Sequence, residues 1–146
     1  MKIVSFDPGV TTGVTIINVP DLSYSIPLNL KAKTLVEYTG EVKEFKDILW
    51  LFTKFEPDKV VLESFKLYPH KAKDKIFSSF PTVEVIGVIK YISQMRNLTV
   101  TEQGANTKKF YDNKKLRMCG VYKGLSPHER DAIRHAFYYV DSCKGG

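Results

Sequence analysis

Cysteine and tryptophan are scarce in this chain, and long apolar runs are missing altogether. Two cysteines occur in 146 residues, Cys119 and Cys143, and neither sits in a CxxC pair or near histidines at zinc-finger intervals. That excludes a disulfide framework and a structural zinc site. No unbroken apolar stretch is long enough to cross a bilayer, and no basic-then-apolar leader stands at the N-terminus. The expectation is a soluble, cytoplasmic protein with no membrane partner. Repeats and low-complexity tracts are also missing. What remains fits one compact domain over 1–146, because a core of this size is stable unaided.

Acid is lacking in two places, and this carries more information than the overall charge of +6. Residues 105–124 hold six Lys or Arg against Asp112 alone, and residues 64–75 hold four lysines against Asp74. Residues 20–62 are close to balanced. A basic run is ordinarily a solvated loop. Here the aromatics Phe65, Tyr68, Phe110, Tyr111 and Tyr122 are interleaved with the lysines, and rings stack on bases while lysines neutralise phosphates. Nucleic acid is the expected partner.

"KIVSFD" reads as a strand buried on both faces. "GVTIINV" reads as its antiparallel neighbour, after a turn built from Pro8, Gly9 and Gly13. Pro27 argues for a bend, and "KTLVEYTG" closes a third strand. Apolar residues at 45, 48, 49, 52 and 55 follow helical spacing up to Pro57. "KVVLES" is a fourth strand, reached by a crossover and so parallel to a neighbour. A basic aromatic linker covers 65–80, followed by a helix from Pro81 to Arg96, a strand "LTVTE" and a basic helix over 106–118. The last helix starts with Ser126 as N-cap, Pro127 at its first position and Glu129 as capping-box partner. The order β-β-β-α-β-α-β-α-α predicts a three-layer α/β fold.

Asp7 and Glu63 each end a hydrophobic strand, and ligands gather at the C-terminal ends of parallel strands in open α/β sheets. If those strands are neighbours, about 4.8 Å apart, both carboxylates reach one ion. His128 and Asp131, three residues apart, project from one face of the last helix. Together the four would line a pocket suited to two divalent ions, Mg²⁺ with Mn²⁺ as a substitute. Two ions about 3.5 to 4 Å apart promote in-line attack of water on a phosphodiester.

The opening "FDPGVTTG", the strand-terminal "VVLESF" and the final-helix "SPHERDAIRHAFYY" resemble the RuvC-type Holliday junction resolvases of bacteria and phages. The resemblance covers nearly the whole chain by element order and is motif-specific at these three places. It implies an RNase H-like fold with a mixed five-stranded sheet and helices on both faces. It also implies a homodimer that uses Mg²⁺ or Mn²⁺, two ions per site, to cut four-way DNA junctions by paired symmetric phosphodiester hydrolysis. By position, Asp7, Glu63, His128 and Asp131 become the catalytic and metal-ligating residues. Phe65 resembles the aromatic that enters the junction centre, at a slightly different offset. Lys66, Lys73, Lys108, Lys109 and Lys115 are the candidate DNA contacts. "QGANTKKFYDNKKL" replaces the family's glycine-rich, lysine-bearing stretch, leaving Lys108, Lys109 and Lys115 open for the basic residue at the scissile phosphate. The helix at 81–96, with Gly87 permitting close approach, is the expected dimer contact.

Taken singly, each residue has a plainer explanation. Asp7 fits an Asx-turn, Glu63 a solvated strand end, and Asp131 a surface pair with Arg134 or His135. His135 itself reads as structural. Only the conjunction of all four at the site-forming ends of their elements favours a nuclease. Three alternatives share some of these features: a ribonuclease acting on RNA/DNA hybrid or structured RNA, an actin-like kinase matching "DPGVT", and a catalytically idle DNA-binding protein. The kinase needs a second domain for which this chain is too short.

Overall fold

The computed structural model describes residues 1–65 and 81–145. The expected DNA contacts Lys66 and Lys73, with most of the basic aromatic linker, lie outside the described residues. Five strands form one sheet in the order β3-β2-β1-β4-β5. They are β1 (Lys2–Asp7), β2 (Thr12–Asn18), β3 (Val36–Val42), β4 (Lys59–Glu63) and β5 (Val100–Gln103). β1 pairs antiparallel with β2 and parallel with β4, which in turn pairs parallel with β5. The sheet is therefore mixed, as expected, and β1 lies at its centre.

Helices α1 (Phe45–Phe55) and α2 (Pro81–Met95) cover one face. Helix α4 (Pro127–Ser142) covers the other, alongside the short α3 (Asn113–Met118). Alternation along the strands divides the core in two. Val4, Phe6, Val14, Ile16, Val60 and Leu62 pack against Ile48 and Phe52 of α1 and Ile89 of α2. Ile3, Ile17 and Val61 pack against Ile133, Phe137 and Val140 of α4. Each fully buried side chain of this size contributes roughly 1.5–3 kcal/mol, so both layers are firmly held to the sheet.

Three local expectations need correction. Gly13, expected both in the turn and at the head of the second strand, belongs to the strand alone, paired with Asp7 on one side and Glu41 on the other. A Cβ on Gly13 would lie 2.0 Å from the backbone oxygen of His128, so the bare position lets the start of α4 press onto β2. The basic segment 106–118 is two elements rather than one helix. A 3₁₀ helix over Ala105–Tyr111 stops at Asp112, whose side chain then caps α3 by accepting from Lys115 N. The third strand begins at Val36, because Leu30–Leu35 winds into a 3₁₀ helix capped by Asn29.

Candidate active site

The pleat decides which carboxylates meet. On the face of β1 that carries Ile3, the next positions are Ser5 and Asp7; on β4 the position after Val61 is Glu63. Phe6 is paired with Leu62 in the parallel register, so Asp7 and Glu63 come one step later at the same sheet edge. Both therefore face α4. That helix is fixed at its start by a complete capping box. Ser126 Oγ accepts from Glu129 N at 3.2 Å, and Glu129 Oε2 accepts from Ser126 N at 2.8 Å. The first two turns of α4 thus bring His128 and Asp131 over the strand ends.

His128 Nδ1 lies 3.4 Å from Asp7 Oδ2. The Lys108 ammonium, delivered by the 3₁₀ helix after β5, sits 3.1 Å from Glu63 Oε2 and 3.1 Å from Asp131 Oδ2. The structure therefore separates the three lysine candidates. Lys108 stands among the acids, Lys115 donates to the Phe110 carbonyl at 2.8 Å, and Lys109 is exposed beside the Phe110 ring. Phe65, two residues past Glu63, is partly exposed.

A supporting layer holds these acids in place. His135, fully buried, places Nε2 2.8 Å from Glu63 Oε2 and Nδ1 2.7 Å from Gln103 Oε1. Arg134 donates to Asp131 Oδ1 at 2.6 Å and to the Tyr111 carbonyl at 2.7 Å. Gln103 and Arg134 escape sequence reading as site residues. The only available signal is spacing: Arg134 is three residues, and His135 four residues, beyond Asp131 on one helix.

Burial pushes the Asp7 carboxyl up to about 6, and the charges of Glu63 and Asp131 push the same way. For Glu63, burial is outweighed by the hydrogen bond to His135 and the charge of Lys108, which hold it below the usual carboxylate range. The donor chemistry, three carboxylates and an imidazole, fits a hard divalent cation. The strained charge on Asp7 is one that such an ion would relieve. Among the described residues, no three ligands converge on a single point at metal-binding spacing. The Lys108 ammonium bridges Glu63 and Asp131 instead.

No protein-family model and no curated protein matches this chain. Solved structures do. Thermus thermophilus RuvC superposes with a TM-score of 0.70 at 15% identity, covering 99% of this chain and 97% of that one. The same protein in complex with Holliday junction substrate gives a TM-score of 0.66 at 16% identity, over 99% and 98% of the two chains. Fowlpox virus resolvase in complex with substrate Holliday junction DNA gives 0.65 at 18% identity, over 97% and 98%. End to end, the chain has the RNase H-like architecture of the RuvC-type resolvases.

Proposed function

We propose that this protein is a metal-dependent, structure-selective DNA endonuclease that resolves four-way junctions by paired, symmetric phosphodiester hydrolysis. The observation that carries the reading is the meeting of Asp7, Glu63 and Asp131 at one sheet edge around Lys108. The architecture supports it, since proteins of this shape are known bound to Holliday junctions.

Asp7, Glu63, Asp131 and His128 would hold two Mg²⁺ or Mn²⁺ ions. Bound there, divalent cations lower the pKa of the attacking water and neutralise the leaving oxygen. The protein's own groups account for the rest. His135 fixes the rotamer of Glu63, and Arg134 fixes Asp131, so neither carboxylate reorganises when a strand arrives. Lys108 offers its ammonium to a phosphate oxygen of that strand. Phe65, partly exposed beyond Glu63, stacks on an unpaired base at the junction centre.

Two cuts related by symmetry need two copies of the site. On α2, Val83, Gly87, Tyr91 and Met95 recur every four residues, and Val83, Tyr91 and Met95 are 48%, 64% and 67% exposed. That outward apolar stripe is the proposed homodimer contact, an isologous pairing that matches the two-fold symmetry of the junction.

The test is cleavage of a labelled four-way junction beside linear duplex and RNA/DNA hybrid, in Mg²⁺, Mn²⁺ or EDTA. Paired nicks in the junction alone, lost in EDTA, are expected. Cleavage of the hybrid alone would replace the resolvase reading with a ribonuclease. Binding without any cleavage would leave an idle DNA-binding protein.

A further inference from the structure

A second cationic feature stands beside the acid cluster and takes no part in it. The loop from Gly120 to Leu125, joining α3 to α4, borders a cavity of about 600 Å³ walled by Arg117, Tyr122, Lys123, Leu125 and Arg130. Left-handed backbone at Gly120 (φ 71°) and Gly124 (φ 80°) turns the loop around it. The guanidinium carbons of Arg117 and Arg130 lie 4.2 and 4.3 Å from the centroid of the same Tyr122 ring. Lys123 is exposed at the rim. Among the described residues, none of these three cations has a carboxylate within 4.0 Å. The two acids that flank Arg130 in sequence are engaged elsewhere, Glu129 in the capping box and Asp131 with Arg134 and Lys108.

Three positive charges gathered without a counter-charge repel one another, and the ring quadrupole offsets only part of that cost. An anion in the cavity removes it. The size falls within the roughly 300–1,000 Å³ of ordinary ligand pockets, ample for a phosphate with its sugar. Placement narrows the choice of anion. Arg130 directly precedes Asp131, and consecutive helical residues diverge by about 100°. A strand engaged at the acids therefore needs only to round the first turn of α4 to reach the cavity.

We infer that this cavity is a phosphate-binding pocket that anchors a DNA strand next to the cleavage site, with Arg117, Arg130 and Lys123 as its cations and Tyr122 as the platform that orients the two guanidiniums. The inference deepens the nuclease reading and rests on it for the identity of the strand.

The experiment measures the affinity of a labelled four-way junction in EDTA across a series of salt concentrations. Wild type is compared with Arg117→Gln/Arg130→Gln, with Arg117→Lys/Arg130→Lys and with Lys123→Gln. The glutamine pair is expected to bind roughly tenfold more weakly near 0.1 M salt, its log–log salt slope shallower by about 0.9 for each phosphate no longer neutralised. The lysine pair, keeping both charges, is expected to restore most of the slope. Lys123→Gln alters an exposed side chain, so it reads the same effect even if the arginine pair misfolds. Unchanged slopes in all variants overturn the pocket, while junction cleavage by wild type leaves the nuclease reading standing. A loss of affinity that lysine does not restore overturns the phosphate role in favour of packing around Tyr122. Pocket-dependent binding with no cleavage overturns the nuclease reading and keeps the pocket. No binding by wild type overturns both.

Discussion

Asp7 ends a strand whose neighbouring side chains are apolar, and it shares a small volume with Glu63 and Asp131. Its folded pKa, about 6, is raised from an ordinary 3.8. Between those values the folded state holds a proton that the unfolded state has lost, so this group's contribution to stability falls as pH rises through the window and is lowest above pH 6. Asp7→Asn removes the charge. In the absence of metal, the variant is expected to melt several degrees above wild type at pH 7.5, with the gap closing towards pH 4. A gap of constant size, or one of opposite sign, would show that Asp7 bears no such strain. The same variant is expected to bind junctions and cut none; wild-type turnover would sink the metal site. Phe65 makes a separate case. Being partly exposed, it contributes little to the fold, so Phe65→Ala is expected to shift Tm by under about 2 °C while slowing junction cleavage at least tenfold. A large loss of Tm would place the ring in the core instead.

Elements show which parts of this arrangement are legible in the sequence. β1 and β4 are readable because both are short apolar runs ended by an acid, and α4 because Ser126, Pro127 and Glu129 form a complete start signal. The role of Gly13 in seating α4 is not legible, because a glycine at a turn and a glycine under a helix look alike in one dimension. Lys108 cannot be told from Lys109 or Lys115 by helical spacing, since the segment is a 3₁₀ helix broken at Asp112. The pair of Asp131 with Arg134 is legible as spacing along one helix, whereas Gln103 and His135, which hold Glu63, meet it only through packing between elements. The close seating of α4 on β2 yields a prediction at the same scale. Gly13→Ala forces the first turn of α4 away from the sheet, at a cost of roughly 1–3 kcal/mol. Cleavage is expected to fall far more than stability, because His128 and Asp131 move with that turn. A variant that melts lower yet cuts at the wild-type rate would show that the turn adjusts without disturbing the site.

For the whole molecule, the issue is how many copies act together. The stripe along α2 presents Tyr91 and Met95 outward, and a charge placed there cannot be buried against a second copy without several kcal/mol of penalty. Wild type is expected to sediment as a dimer and to cut a junction in a concerted pair, whereas Tyr91→Glu/Met95→Glu is expected to sediment as a monomer with an unchanged melting profile in dilute solution and to nick the junction once. A double variant that remains dimeric would move the interface elsewhere.

The capping box that starts α4 also bears on the order in which this chain becomes active. Asp7 and Glu63 are made early, whereas His128 and Asp131 arrive with the helix that begins at Pro127. A nascent chain still short of that helix holds two of the acids and none of their partners on α4, and it leaves Ile3, Ile17 and Val61 uncovered. Under the proposed function, hydrolytic competence is withheld until α4 has docked. The helix that seals this face of the sheet, synthesised well after both strand acids, is also the one that completes the candidate site.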